Sequence, residues 1–111
     1  MKFDFPFPYC GDPDLGIAIA GALARVIDPE MALGIVDLGL VYGVEARPGD
    51  ATVRITMTSA ACPVTDLIVD DIVNELHATL GETFDVDVDV VWDPPWAPER
   101  MSARARRALE A

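Results

Sequence analysis

Cysteine and histidine are scarce in this sequence, and their scarcity excludes several kinds of site. The 111 residues include two cysteines, Cys10 and Cys62, and a single histidine, His77. Two cysteines this far apart form neither a disulfide framework nor a metal-ligand spacing by themselves, and they favour a reducing compartment. His77 falls about four helical turns, roughly 20 Å, beyond Cys62 in the helix predicted below, which is too far for a catalytic dyad. We therefore expect that the protein is not an enzyme.

Basic residues and long apolar runs are also scarce. Eight Lys and Arg residues stand against 19 Asp and Glu residues, so that the formal net charge is -11. Such a surface repels phosphate backbones, and nucleic-acid binding is not expected. No segment approaches the roughly 20 apolar residues that a membrane-spanning helix requires, and no charged leader precedes an apolar run. We expect a soluble, cytoplasmic protein that binds neither nucleic acid nor membranes.

The N-terminal quarter of the sequence predicts an extended arm followed by a helix. Residues 1–11 alternate Phe with Asp or Pro, which is typical of an extended segment, and we place one folded domain at 12–111. The pair Asp12-Pro13 suits the N-cap and the first turn of a helix. Apolar residues then recur at helical spacing, which predicts that this helix runs to about Ile27.

The middle of the sequence predicts a β-hairpin and a second helix. Segments 40–47 and 51–58 are separated by turn residues, and the second segment alternates apolar with polar positions. Helical spacing of apolar residues follows over 63–80, and Gly81 suits the C-terminal cap of that helix.

A third strand and a short helix complete the predicted fold. In segment 84–92, Val and aromatic residues alternate with Asp85, Asp87 and Asp89, so one face is buried and the acidic face is solvated. Ser102 is positioned to cap a short C-terminal helix. The fold class is α/β (α+β): two layers, with a mixed three-stranded sheet packed on two helices.

Cys62 is the first candidate for chemistry. It precedes Pro63, where the strand pattern stops and the helix pattern begins, which predicts that its thiol lies at or next to a helix N-cap. Backbone N–H groups and the helix dipole lower a cysteine pKa at such a place, so the sulfur becomes a soft metal ligand or a nucleophile. The alternative is a small buried residue without chemistry, as most free cysteines are.

Asp37 is the second candidate. It lies between Val36 and Leu38 in a glycine-spaced loop, where a carboxylate must reach water, find donors or bind a cation. One interpretation is that it accepts backbone hydrogen bonds and holds the loop. The other is that the hairpin brings it near Cys62, where the two residues form part of a metal site.

The segment from Trp92 to Trp96 is a candidate surface for partners. Its sequence, Trp-Asp-Pro-Pro-Trp, is stiff, and Trp92, Asp93 and Trp96 are the residues that a partner protein would contact. The alternative is that Trp92 ends the core face of the strand and that the prolines fix the exit of the chain.

Four short motifs in this sequence, taken together with their order and spacing, resemble those of the MIP18 family. This family, formerly DUF59, comprises iron–sulfur assembly factors that include SufT-like and PaaD-like proteins. The resemblance covers about residues 13–109, so the domain at 12–111 is identified as MIP18-like. It rests on Asp28-Pro29-Glu30, on Ile35-Val36-Asp37-Leu38-Gly39-Leu40-Val41-Tyr42, on Thr56-Met57-Thr58 with Ala61-Cys62-Pro63, and on Val91-Trp92-Asp93-Pro94-Pro95-Trp96.

The resemblance implies an iron–sulfur assembly fold and an accessory role in cluster assembly or in delivery to apo-proteins. By motif, Cys62 is the suspected metal or cluster contact, with Asp37 close to it. The chain ends without the cysteine-rich segment of PaaD proper, which favours the shorter general form. The arm that contains Cys10 lies outside the resemblance.

One thiolate cannot hold a cluster, which takes four protein ligands. We therefore expect a homodimer or a partner complex, in which Cys62 binds iron or a cluster transiently. Two rival hypotheses stay open. In the first the protein is an interaction adaptor that contacts no metal. In the second it is a thiol enzyme in which Cys62 reacts with peroxide and Cys10 resolves the product.

Overall fold

The computed structural model describes residues 5–58 and 64–110, which form three α-helices and six strands. The helices are α1 (Pro13–Leu23), α2 (Thr65–Leu80) and α3 (Ala103–Glu110). Within the described ranges, none of the three helices has the length and hydropathy of a membrane span. The strands, in chain order, are β1 (Tyr9–Gly11), β2 (Ile27–Asp28), β3 (Leu33–Gly34), β4 (Val41–Arg47), β5 (Asp50–Ile55) and β6 (Asp85–Val90).

The main sheet has the strand order β1-β4-β5-β6 and is mixed. Strands β4 and β5 form the predicted antiparallel hairpin, and β6 pairs parallel to β5 after the α2 crossover. Helices α1 and α2 pack together and against one face of this sheet. The α+β class and the two layers are confirmed. The other face carries the exposed carboxylates of Asp85, Asp87 and Asp89, as the alternation predicts.

The sheet has four strands and not the predicted three, because part of the N-terminal segment joins it. Strand β1 pairs parallel to β4, with Cys10 opposite Glu45. Burial, and then the charges of Asp12 and Cys10, raise the pKa of the Tyr9 hydroxyl, which donates a hydrogen bond to the Asp12 carbonyl. A three-residue edge strand whose partner lies over 30 residues away leaves no local pattern. The boundary between the arm and the domain stays a prediction.

The first helix begins as predicted and ends earlier than predicted. The Asp12 carboxylate accepts hydrogen bonds from the backbone N–H groups of Asp14 and Leu15, at 2.9 and 3.1 Å, and so caps α1. The helix ends at Leu23, and Ile27 instead begins β2, which pairs with β3 in a two-stranded ribbon. Tertiary pairing therefore overrides a helical spacing that continues in the sequence to about Ile27.

The second helix begins two residues later than predicted. Its N-cap residue is Val64, which makes no side-chain capping bond, and the helix closes at Gly81 as expected. Cys62 and Pro63 themselves lie outside the described residues. The prediction that the Cys62 thiol lies at or next to the N-cap of this helix therefore stays a prediction.

The hydrophobic core lies between the helices and the sheet. The alternating positions Val53, Ile55 and Met57 are all buried, as the sequence pattern predicts, and α2 contributes Ile68, Ile72 and Leu76. Burying side chains of this kind stabilises a fold by about 1.5–3 kcal/mol each. The packing of this core therefore holds the sheet in position, and it also positions the loops at the ends of the strands.

Candidate functional site

The carboxylate of Asp37 is held by residues at the start of α3. The hydroxyl of Ser102 donates a hydrogen bond to Asp37 Oδ1 at 3.0 Å, and the Ser102 backbone N–H donates to the Asp37 carbonyl at 2.7 Å. The guanidinium of Arg104 lies 3.9 Å from Asp37 Oδ2. About a third of the Asp37 side chain is exposed. Both carboxylate oxygens therefore face a donor or a cation.

These contacts modify the structural interpretation of Asp37. It does hold structure together, but its side chain binds Ser102 and Arg104 of the C-terminal segment, while the expected donors were backbone groups. Its proximity to Cys62 stays a prediction, because Cys62 is outside the described residues. The sequence alone could not identify Ser102 as a partner, since 65 residues separate the two.

Residues 92–110, called the C-terminal strap below, cross over the loop that carries Asp37. The indole N–H of Trp96 donates to the Leu38 carbonyl at 2.7 Å. The hydroxyl of Tyr42 donates to the Pro94 carbonyl at 2.7 Å, and the Arg100 guanidinium lies 4.4 Å from the centre of the Tyr42 ring. The strap is thus attached at several points, and it fixes the conformation of the Asp37 loop.

The three candidate partner residues of the strap occupy different environments. Trp92 is 48% exposed and Asp93 is exposed, so both are accessible to another protein. Trp96 is half-buried and its polar group is already bonded. A role in partner binding stays a prediction for all three, but a substitution of Trp96 will also disturb the strap.

The segment that contains Cys62 leaves from the end of the sheet where the Asp37 loop arrives. The backbone N–H of Thr56, just after β5, donates to the Leu40 carbonyl at 2.8 Å. On the other side of β5, the N–H of Val91 donates to the Ile55 carbonyl at 2.8 Å. The loop before β4, the end of β5 and the end of β6 therefore meet at one edge of the domain. Residues 59–63 connect this edge to α2.

Thr56 carries a feature that the sequence analysis did not anticipate. Its side chain is 1% exposed, and Oγ1 has no hydrogen-bond partner in the part of the chain that the structure describes. Leaving a buried hydroxyl unpaired costs about 1–3 kcal/mol. The alternation of β5 places Thr56 on the solvated side, so its burial is not expected from the sequence pattern.

The described residues do not form a complete metal site. Residues 5–58 and 64–110 contain no group of three or more His, Cys, Asp or Glu side chains that could hold a metal ion. Asp37 offers one carboxylate, and that carboxylate is engaged by Ser102 and Arg104. A cluster would need further ligands from Cys62, from another copy or from a partner.

The remaining candidates have structural roles or lie elsewhere. The Nε2–H of His77 donates to the Phe84 carbonyl at 3.0 Å and joins α2 to the start of β6. Cys10 is exposed on the edge strand β1, in a row with Glu45, Thr52 and Asp87 across the open face of the sheet.

Comparison with known proteins identifies the family. The model of the family described as "Iron-sulfur cluster assembly protein" matches residues 17–90. The Fe-S protein maturation auxiliary factor YitW of Bacillus subtilis is 45% identical over 92 residues, 82% of this chain and 89% of that protein. The Fe-S protein maturation auxiliary factor SufT of Staphylococcus aureus is 45% identical over 85 residues, 76% of this chain and 96% of that protein.

A solved structure agrees with these sequence matches. The crystal structure of a DUF59 domain from Bacillus anthracis superposes with a TM-score of 0.82 and 42% sequence identity, covering 87% of this chain and 92% of that one. The family model spans well over half of the sequence, and the two relatives are covered almost completely. The chain therefore belongs to the iron–sulfur cluster assembly protein family, the DUF59 group.

Proposed function

We propose that this protein is an accessory factor that delivers iron–sulfur clusters, or iron for them, to apo-proteins, and that Cys62 contacts this cargo. Family membership supports the general role in cluster assembly or delivery. One observation supports locating the cargo contact at one edge of the domain. The Asp37 loop meets the ends of β5 and β6 there, and the chain continues from the end of β5 toward Cys62.

The chemistry available at this edge suits transfer better than storage. Cys62 supplies one soft thiolate, and Asp37 supplies one hard carboxylate that is already engaged. So few ligands hold a cluster weakly, and the remaining ligands come from a second copy in a homodimer or from the thiols of a partner.

The cellular setting and the partners belong to the same proposal. Relatives are named auxiliary factors, which supports a protein that binds and passes on cargo without catalysing a reaction of its own. A free thiol that must stay reduced favours the cytoplasm. The partners are the proteins that build clusters and the apo-proteins that receive them.

The test compares two cysteine substitutions after anaerobic reconstitution with iron and sulfide. Cys62→Ser should lower both bound iron and cluster transfer to an apo-ferredoxin by more than roughly tenfold. Loss of a group that only supports a metal ligand already costs a metal site about tenfold or more, and loss of a direct ligand should cost at least as much. Cys10→Ser is the matched control, since Cys10 is an exposed thiol on the open face of the sheet, and it should behave as the wild type. Equal iron content and equal transfer rates in the two variants would rule out the assignment.

The adaptor hypothesis has one observation in its favour, the exposure of Trp92 beside Asp93. Exposed aromatic residues are frequent anchors of protein interfaces. If the protein is only an adaptor, Trp92→Ala abolishes activation of client enzymes while Cys62→Ser leaves it intact. Trp92 is the better residue for this comparison because Trp96 is bonded to Leu38 within the domain.

A further inference from the structure

The last strand of the main sheet, β6, has a neighbour on one side only. It ends the strand order β1-β4-β5-β6 and is six residues long, whereas β1 at the opposite side has three residues. The N–H groups of Asp85 and Val91 donate to the carbonyls of Gly49 and Ile55, at 2.9 and 2.8 Å. The odd-numbered residues of this segment therefore turn their backbone groups toward β5.

The even-numbered residues of β6 turn their backbone groups the other way. Along a parallel pair the N–H and C=O of one residue point to the same side, and those of the next residue point to the opposite side. The N–H and C=O groups of Val86, Val88 and Val90 therefore point away from the sheet, and within the described ranges no group bonds to them. We call these groups the β6 edge. Exposed backbone groups of this kind are a template on which another strand can pair.

Apolar side chains flank the β6 edge on the helical face of the sheet. The three valines of β6 point to this face and are only half-buried. His77 joins α2 to the residue before β6, and Val73 and Val69 precede it at spacings of four residues, on the same stripe of the helix. Both are half-buried. An added strand would cover this apolar border with apolar side chains of its own.

Carboxylates flank the β6 edge on the open face. Asp85, Asp87 and Asp89 are exposed there, and no Lys or Arg among the described residues forms an ion pair with them. Arg54, the cross-strand neighbour of Asp89, is paired with Glu45 at 2.7 Å instead. A second copy paired at this place would bring its own row of carboxylates, and like charges on neighbouring strands repel each other. Basic side chains on an added strand would be attracted.

We propose that the β6 edge binds an extended segment of a partner protein in which Lys or Arg residues alternate with apolar residues. The segment joins the sheet as a further strand. Its main chain bonds to the three valines, its apolar side chains cover the border with α2, and its basic side chains lie beside the three carboxylates. This surface goes beyond the delivery of clusters, because it needs neither metal nor Cys62.

The first measurement uses a fluorescein-labelled peptide of about eight residues in which lysine and valine alternate, a length that matches a typical strand. Fluorescence anisotropy follows its binding to the metal-free protein in about 150 mM NaCl, where attraction between distant charges is screened. A peptide of the same composition, with its lysines and valines in two separate blocks, should bind at least roughly tenfold more weakly, because it cannot present a basic face and an apolar face at once. A peptide with glutamate in place of lysine should not bind.

Amide hydrogen exchange, resolved by residue with NMR, then locates the peptide. The N–H groups of Val86, Val88 and Val90 should exchange at least roughly tenfold more slowly at saturating peptide, because they gain hydrogen bonds. The N–H groups of Asp87 and Asp89 already bond to β5 and should change much less. A peptide held by charge alone would leave the exchange of the valines as it was, and this result on the wild type decides the question without any variant.

The charge requirement is tested with two double variants. Asp87→Asn/Asp89→Asn should weaken binding of the alternating peptide by roughly three- to tenfold, because two cross-strand charge pairs are lost. Asp70→Asn/Asp71→Asn is the matched control, with the same change of charge at exposed positions of α2, and it should weaken binding by less than about twofold.

The backbone requirement is tested at Val88. Val88→Pro removes an N–H that points away from β5, so the existing ladder is kept, and proline is tolerated at such a position of an edge strand. It should weaken binding by roughly tenfold, since one hydrogen bond is lost and the proline ring obstructs the added strand. Val88→Ala keeps the N–H while it removes apolar surface, and it should weaken binding by less than about threefold.

Three results would overturn the proposal. Equal affinity for the alternating and the block peptide would show that the protein does not recognise a strand. Unchanged exchange of the three valines at saturation would place the peptide elsewhere. Sedimentation of the peptide-free protein as a dimer that Val88→Pro dissociates would make a second copy the occupant. Failure of the Cys62→Ser test leaves this surface unaffected, and failure of the peptide to bind leaves the delivery role unaffected, so the two are tested separately.

Discussion

At the scale of single residues, Gly39 decides whether the Asp37 loop and the C-terminal strap can lie together. Its φ is +75°, a conformation that other residues rarely adopt, and a Cβ atom placed on it would lie 2.3 Å from the Arg100 carbonyl oxygen. Glycine is therefore required at this position both by the backbone conformation and by the close approach of Arg100. The second reason depends on the tertiary structure.

Gly39→Ala should lower the free energy of unfolding by roughly 2–4 kcal/mol, from the strained φ and from the contact with Arg100. Urea denaturation measures this loss. Gly21→Ala is the control, because that position lies in α1 with open space around it, and alanine there should stabilise the helix by about 0.5–1 kcal/mol. Equal effects of the two substitutions would contradict the close approach of the strap.

At the scale of elements, the strap divides into a part that supports the site and a part that faces solvent. Trp96 reaches into the Asp37 loop through its indole N–H, while Trp92 is half-exposed at the end of β6. The two tryptophans look alike in the sequence, since each flanks the same Asp-Pro-Pro segment. Their contacts assign different roles to them.

Trp96→Phe should cost about 1–2 kcal/mol of stability, because the Leu38 carbonyl loses its donor while most of the ring volume is kept. Trp92→Phe should change stability by less than about 0.5 kcal/mol, as is usual at exposed positions. Thermal unfolding of both variants measures the difference. A loss as large for Trp92→Phe as for Trp96→Phe would show that the strap is packed differently.

At the scale of the whole molecule, excess negative charge opposes folding. The formal net charge is -11, and β6 places Asp85, Asp87 and Asp89 in a row on the open face of the sheet. Like charges repel one another more in the compact state than in the unfolded chain. The ion pairs found among the described residues are largely exposed and contribute little to stability.

Sodium chloride should therefore stabilise the protein. Raising its concentration from about 20 mM to about 300 mM shortens the Debye length to less than about 10 Å and should raise Tm by a few degrees. The triple variant Asp85→Asn/Asp87→Asn/Asp89→Asn should have a higher Tm at low salt and a smaller response to salt. A Tm that falls as salt is added would mean that attractive ion pairs outweigh the repulsion.

The sequence by itself determined the elements whose signals are local. Turn chemistry and periodicity act between neighbouring residues, and they predicted four features. These are the Asp12 cap, the 40–58 hairpin, the alternating strand of Asp and Val residues, and the end of α2 at Gly81. The four motifs also sufficed to indicate the family.

Only the tertiary structure decided the features that depend on residues far apart in the chain. The pairing of β1 with β4, the engagement of Asp37 by Ser102 and the burial of the Thr56 hydroxyl all join or enclose distant segments. Such contacts arise from the packing of the whole chain, since an isolated segment contains no trace of its distant partner. For that reason the sequence identified Asp37 as a candidate but could not show which groups occupy it.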